Sequence, residues 1–161
     1  MNLAARLLAA LALAAGAAVH AQSASAPEES DPDDVFYQRA AVCAAAMQVD
    51  QLVLVARIQA GATGLRPPLF ELTRLGFTYV GKAYLKGLRD PRGSQMLKAQ
   101  TAEQKSWPAA RHAKTVSECR AEAQSLYDQS SSMEKWFADK KANARIDKFL
   151  ASVNAASAAS H

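Results

Sequence analysis

Apolar residues return along this chain at helical spacing, and the strongest run lies between Phe36 and Ala60. Placed on a helix, Phe36, Ala40, Cys43, Met47, Leu54 and Ile58 share a narrow arc, the repeat of a helix that faces a core. Leu52 to Ala56 is apolar almost all round, which predicts a central helix for the others to pack against. Asp33 or Asp34 is placed to cap its first amides, and Gly61 or Gly64 lets the chain leave through a positive φ.

Pro67-Pro68 opens a second helix that runs to about Arg89, proline being well suited to a first turn. Its inward arc is Leu69, Leu72, Thr73, Gly76, Val80, Ala83 and Gly87, with Phe77, Tyr79 and Tyr84 at the edges. Each helical glycine costs about 1 kcal/mol against alanine, so something offsets Gly76, Gly81 and Gly87. One offset is close approach by a neighbouring helix, which small residues permit. The other is a ligand groove with a floor of Gly76, Val80 and Ala83 and walls of Phe77, Tyr79 and Tyr84.

A turn at Asp90-Pro91-Arg92-Gly93 leads to a short surface helix, Ser94 to Ser106, which Pro108 closes. The next helix, Ala109 to Tyr127, turns Ala109, His112, Val116, Cys119, Ala123 and Leu126 inward. Ser131 with Glu134 three residues on forms a capping box for the last helix, Met133 to Val153. Here the apolar residues divide: Met133, Trp136 and Phe137 point one way, and Ile146, Phe149, Leu150 and Val153 nearly opposite. Either the helix kinks or wraps, or Trp136 and Phe137 meet something other than the bundle. With no strand-like alternation, the expected fold is all-α, a four- to five-helix bundle.

The first residues change the picture of where this bundle works. A positive start to Arg6, an apolar run from Leu7 to Val19 and the small residues of Val19-His20-Ala21 predict a signal peptide over 1–21, cut near Ala21. The run is shorter than the roughly 20 residues that span a bilayer, so no transmembrane segment is expected. The expected mature chain is an acidic, flexible leader over 22–34, a single helical domain over 35–153 and a disordered tail over 154–161. The expected location is the periplasm, or outside the cell.

Two cysteines in an exported chain read as one disulfide, Cys43 to Cys119, which staples the first helix to the fourth. Closing so long a loop is worth about 4 to 5 kcal/mol in the chain-entropy picture. The formal net charge is +4. Because the leader is acidic, the helical body is more basic still, with Lys82, Lys86, Arg89 and Arg92 in one cluster and Lys135, Lys140, Lys141, Arg145 and Lys148 in another. For an exported protein this favours an anionic envelope component or an acidic protein as partner over nucleic acid.

Catalytic chemistry finds little to stand on. His20 leaves with the signal and His161 ends the chain, so His112 is the one structural histidine, and no metal spacing, phosphate loop or nucleophile motif is present. Asp50 interrupts the core face of the first helix, with Arg57 on the same side two turns on; an arginine from another helix is expected to reach it in a rim salt bridge, the other reading being a perturbed acid in a cleft. No catalytic residue, metal or cofactor is assigned.

The cysteine in the first helix, Glu118-Cys119-Arg120 and Leu126-Tyr127 resemble small helical periplasmic immunity proteins of type VI secretion systems. That resemblance implies a protein inhibitor. From the residues themselves, the leading expectation is an exported, non-enzymatic helical protein that binds a protein partner or an anionic envelope component. The alternative is a small-ligand carrier. The binding residues are sought among Gly76, Phe77, Tyr79, Val80, Ala83, Tyr84, Trp136 and Phe137.

Overall fold

A computed structural model describes residues 31–158. They form five helices and, among the described residues, no strand: α1 (Pro32–Gln59), α2 (Arg66–Leu85), α3 (Arg92–Gln104), α4 (Ala109–Asp128) and α5 (Ser132–Ala158). The expected signal peptide, the first part of the acidic leader and residues 159–161 lie outside the described residues.

The first helix begins earlier than the periodicity predicts. Asp31, not Asp33 or Asp34, is the cap: its carboxylate accepts from the Asp33 amide at 2.9 Å, and Pro32 sits in the first turn. The end of the acidic leader is therefore helical. Asp33 accepts from Lys86 at 2.7 Å and Asp34 from Arg92 at 2.8 Å, so two leader acids tie α1 to the chain after α2. At the other end, α5 continues to Ala158 where a disordered tail was expected, because alanine in Ala155-Ala156 favours helix over coil.

Helix ends α1 and α2 share one device. After α1, Gly61 (φ 89°) lets its own amide reach Ile58 O and that of Ala62 reach Arg57 O. After α2, Gly87 (φ 112°) does the same with Tyr84 O and Leu88 to Ala83 O. Both are Schellman caps, and a side chain at either glycine would be strained. Gly87 thus ends α2 instead of lying on its inward arc.

The core is built around the disulfide. Cys43 and Cys119 are joined and fully buried, and Tyr37, Ala40, Met47, Leu72, Leu75, Tyr79, Ala83 and Ala123 pack with them. Small residues from Ala40 to Ala46 allow α2, α3 and α4 to approach α1 closely. This places the centre of α1 in its first half. Leu52 and Val53, expected at the heart of the bundle, are 45% and 56% exposed. Apolar composition all round that stretch did not bring a neighbour to cover it.

Length and composition alone would let α1 pass for a membrane span, but in this fold its Tyr37–Met47 stretch is packed against other helices and cross-linked to α4. On α2 the expected inward residues Leu69, Leu72, Thr73, Gly76 and Ala83 are buried; Leu75 and Tyr79 join them, because large apolar side chains remove much area from water, and Val80 is left exposed.

Polar contacts also fasten α1 to α3 and α4. Gln104, the one buried residue of α3, donates from Nε2 to Val42 O at 2.8 Å. His112 Nε2 lies 2.8 Å from Asp50 Oδ1, so the partner of Asp50 is the histidine of α4 and not an arginine. Arg39 bonds Glu122 at 2.8 Å, again joining α1 to α4. Burial opposes the guanidinium charge there, but the Glu122 hydrogen bond and field outweigh it and hold Arg39 above its ordinary pKa.

The cross-link spans 76 residues of sequence, which sets the first expectation. Replacing Cys43 and Cys119 together by Ala should lower unfolding free energy by about 2 to 5 kcal/mol, read as an earlier urea midpoint. Equal midpoints for the two proteins would show that helix packing alone holds α1 to α4.

Candidate functional site

Helix α5 packs on α2 and on little else. It seats through Ala138, Ala142 and Ile146, all buried and one helical turn apart, so its opposite side faces out. At the start of α5 the contact opens into a groove of about 820 Å³, within the size range of small-ligand sites. Its walls are Phe77, Val80, Gly81, Tyr84 and Leu85 from α2 and Met133 and Phe137 from α5. Tyr127 and the Ser130-Ser131 turn close one end.

Gly81 explains the depth of the groove. A side chain placed there would meet nothing within 4 Å, so close packing does not require glycine at this position. At Gly76 the nearest atom to an added Cβ is Gln51 Nε2 at 3.7 Å, an ordinary contact. Neither glycine is where a neighbouring backbone presses. Gly81 leaves the floor of the groove empty.

Of the residues singled out from sequence, Phe77, Val80, Tyr84 and Phe137 come together here. Tyr79 and Ala83 do not: both are buried on the disulfide side of α2, and the Tyr79 hydroxyl, pushed up by burial first and by Glu122 second, is kept neutral. Gly76 lines a separate recess of about 60 Å³, next to Gln48 and Gln51. Trp136 stands outside the groove, exposed, with Lys140 Nζ 4.6 Å from its ring centre. Sequence reading missed Leu85 and Met133 as walls, although Phe77, Gly81 and Leu85 stand at successive i+4 positions on one face.

Polar groups at the rim are mostly engaged with one another. Glu134 accepts from Lys82 at 2.7 Å across the α2/α5 junction and from the Ser131 amide at 2.8 Å. The Ser131 hydroxyl in turn accepts from the Glu134 amide at 3.3 Å, completing the capping box expected from sequence. These bonds, that of Lys82 foremost, hold the Glu134 carboxyl far below its ordinary range, at about 2. Tyr127 donates to Asp139, and burial, then that carboxylate, raises its hydroxyl. Among the described residues no set of His, Cys, Asp and Glu is grouped to hold a metal. The groove offers apolar surface with a satisfied polar edge.

No family model, curated protein or solved structure matches this chain. The resemblance to immunity proteins therefore rests on the residues quoted for it.

The Glu134 strap gives a pH dependence with a definite sign. Its carboxyl is depressed in the fold, so the stability it adds is complete above the unfolded value near 4.5 and is lost as pH falls toward about 2. Glu134→Gln keeps the cap shape and removes the charge. At neutral pH it should cost at most about 1 kcal/mol, since the pair is partly in solvent. Denaturant curves should show this difference shrinking below pH 4.5 and vanishing near the folded value. A difference constant across that window would show that Glu134 gains nothing from its charge.

Proposed function

We propose that this protein is an exported, non-enzymatic carrier that holds the apolar body of a small molecule in the α2/α5 groove. The observation that carries this reading is the open floor at Gly81 between aromatic and aliphatic walls. A helical glycine that packing does not require costs stability, and an empty apolar groove on a small domain exposes surface that monomeric proteins ordinarily cover. Both costs are offset if a ligand fills the space. Export is supported by the signal-like first residues and by a buried disulfide, a bond that persists in oxidising compartments.

Specificity in this reading is a matter of shape and apolar contact, with one polar edge at Lys82, Glu134 and the Ser130-Ser131 turn. Pocket lining that is mostly apolar with few polar groups is the usual composition of small-molecule sites.

Gly81→Leu separates a carrier from a protein whose groove is incidental. An added Cβ meets nothing within 4 Å there and the groove lies beyond it, so the fold should be retained and stabilised by about 0.5 to 1 kcal/mol through helix propensity. Native mass spectrometry of the protein recovered unreduced from its own host should show a small-molecule adduct on the wild type. The Gly81→Leu protein should have lost it. A bare wild-type monomer, or an adduct that survives the substitution, would overturn the assignment.

A further inference from the structure

Around the mouth of the groove the protein exposes large apolar side chains from two helices at once: Tyr84 and Leu85 on α2, and Met133, Trp136 and Phe137 on α5. Met133 is 78% exposed, the highest value among the large hydrophobic residues of the described chain. Cations stand directly beside these rings. Arg89 lies 4.0 Å from the Tyr84 ring centre, Lys140 4.6 Å from Trp136 and Lys141 5.4 Å from Phe137. None of these three cations has a carboxylate partner among the described residues, whereas Glu134 already holds Lys82. The face is therefore apolar and positively charged together, and Glu134 beside it is paired with Lys82.

We propose that this face, centred on the outward side of α5, docks on an anionic lipid surface. Met133, Trp136 and Phe137 enter the headgroup region, and Lys140 and Lys141 meet lipid phosphates. Charge decides against a second copy of the chain, since a symmetric pairing through α5 would set Lys140 and Lys141 against themselves. Composition and charge together favour lipid over an acidic protein: exposed apolar side chains interleaved with cations that have no carboxylate partner among the described residues match an interface that offers hydrocarbon and phosphates side by side. The proposal rests on Trp136 and the two lysines, which lie outside the groove, and does not require the groove to be filled.

Trp136 is its own reporter once Trp107, the other tryptophan, is changed to Phe. The fluorescence of Trp107→Phe protein should shift to the blue and brighten with vesicles of phosphatidylcholine and phosphatidylglycerol in equal parts. It should stay unchanged with phosphatidylcholine alone. Each of Lys140→Gln and Lys141→Gln should weaken binding about fivefold, and added salt should weaken it further. Both lysines are exposed, and matched circular dichroism would confirm that the variants fold. No shift with anionic vesicles, an equal shift with both vesicle types, or undiminished binding by the double lysine variant would overturn the proposal. So would soluble polyglutamate that gives the same shift and displaces the vesicles, which would assign the face to an acidic polypeptide.

Discussion

Everything in this fold that is rigid is referred to the bond between Cys43 and Cys119. It fastens the alanine-rich first half of α1 to the middle of α4, and the largest buried side chains, Tyr79 and Met47 among them, fill the space around it. A domain of this size has a limited core, and a cross-link that confines the unfolded chain supplies what burial alone does not. The ion pair of Arg39 with Glu122 and the hydrogen bond of His112 with Asp50 repeat the same α1-to-α4 connection. One face of α2 is drawn onto this centre, and that fixes which face is left over.

The fold class, the helix order and the cross-link were legible because each rests on local signals: periodicity, prolines, glycine stops, a capping box and a pair of cysteines. What was not legible is which side of a helix its neighbours choose. On α2 the expected arc is buried at Leu69, Leu72, Thr73, Gly76 and Ala83, but the buried face also takes in Leu75 and Tyr79, which carry more area, and leaves Val80 exposed. On α1 the all-round apolar stretch at Leu52 and Val53 remained partly in solvent, because composition states a preference for burial and not the presence of a partner. Asp50 and His112 were each marked as polar residues on an inward face, but nothing in either segment paired them with one another.

The groove was half legible for the same reason. Phe77, Val80, Tyr84 and Phe137 were marked by glycines and by the divided pattern of the last helix, both local properties. Excluding Tyr79 and Ala83 from it required knowing that the disulfide core takes the other side of α2. Gly81 carried the useful signal, a helical glycine without a packing need, yet only a structure shows that the space above it is open.

Helix α5 is held differently from the rest. Among its residues with described side chains only Ala138, Ala142 and Ile146 are buried, so little apolar area fastens it to α2. Ion pairs supplement that contact toward both ends, Lys82 with Glu134 near the start and Arg66 with Asp147 further along. Such partly solvated pairs contribute modestly. An element with few buried contacts opens readily, and here α5 forms one wall of the groove. Anything that binds across α2 and α5 adds to the forces holding α5 in place and stabilises the closed form by mass action. The stapled core and the helix seated through Ala138, Ala142 and Ile146 thus set a covalent bond on one side of α2 against noncovalent contacts alone on the other.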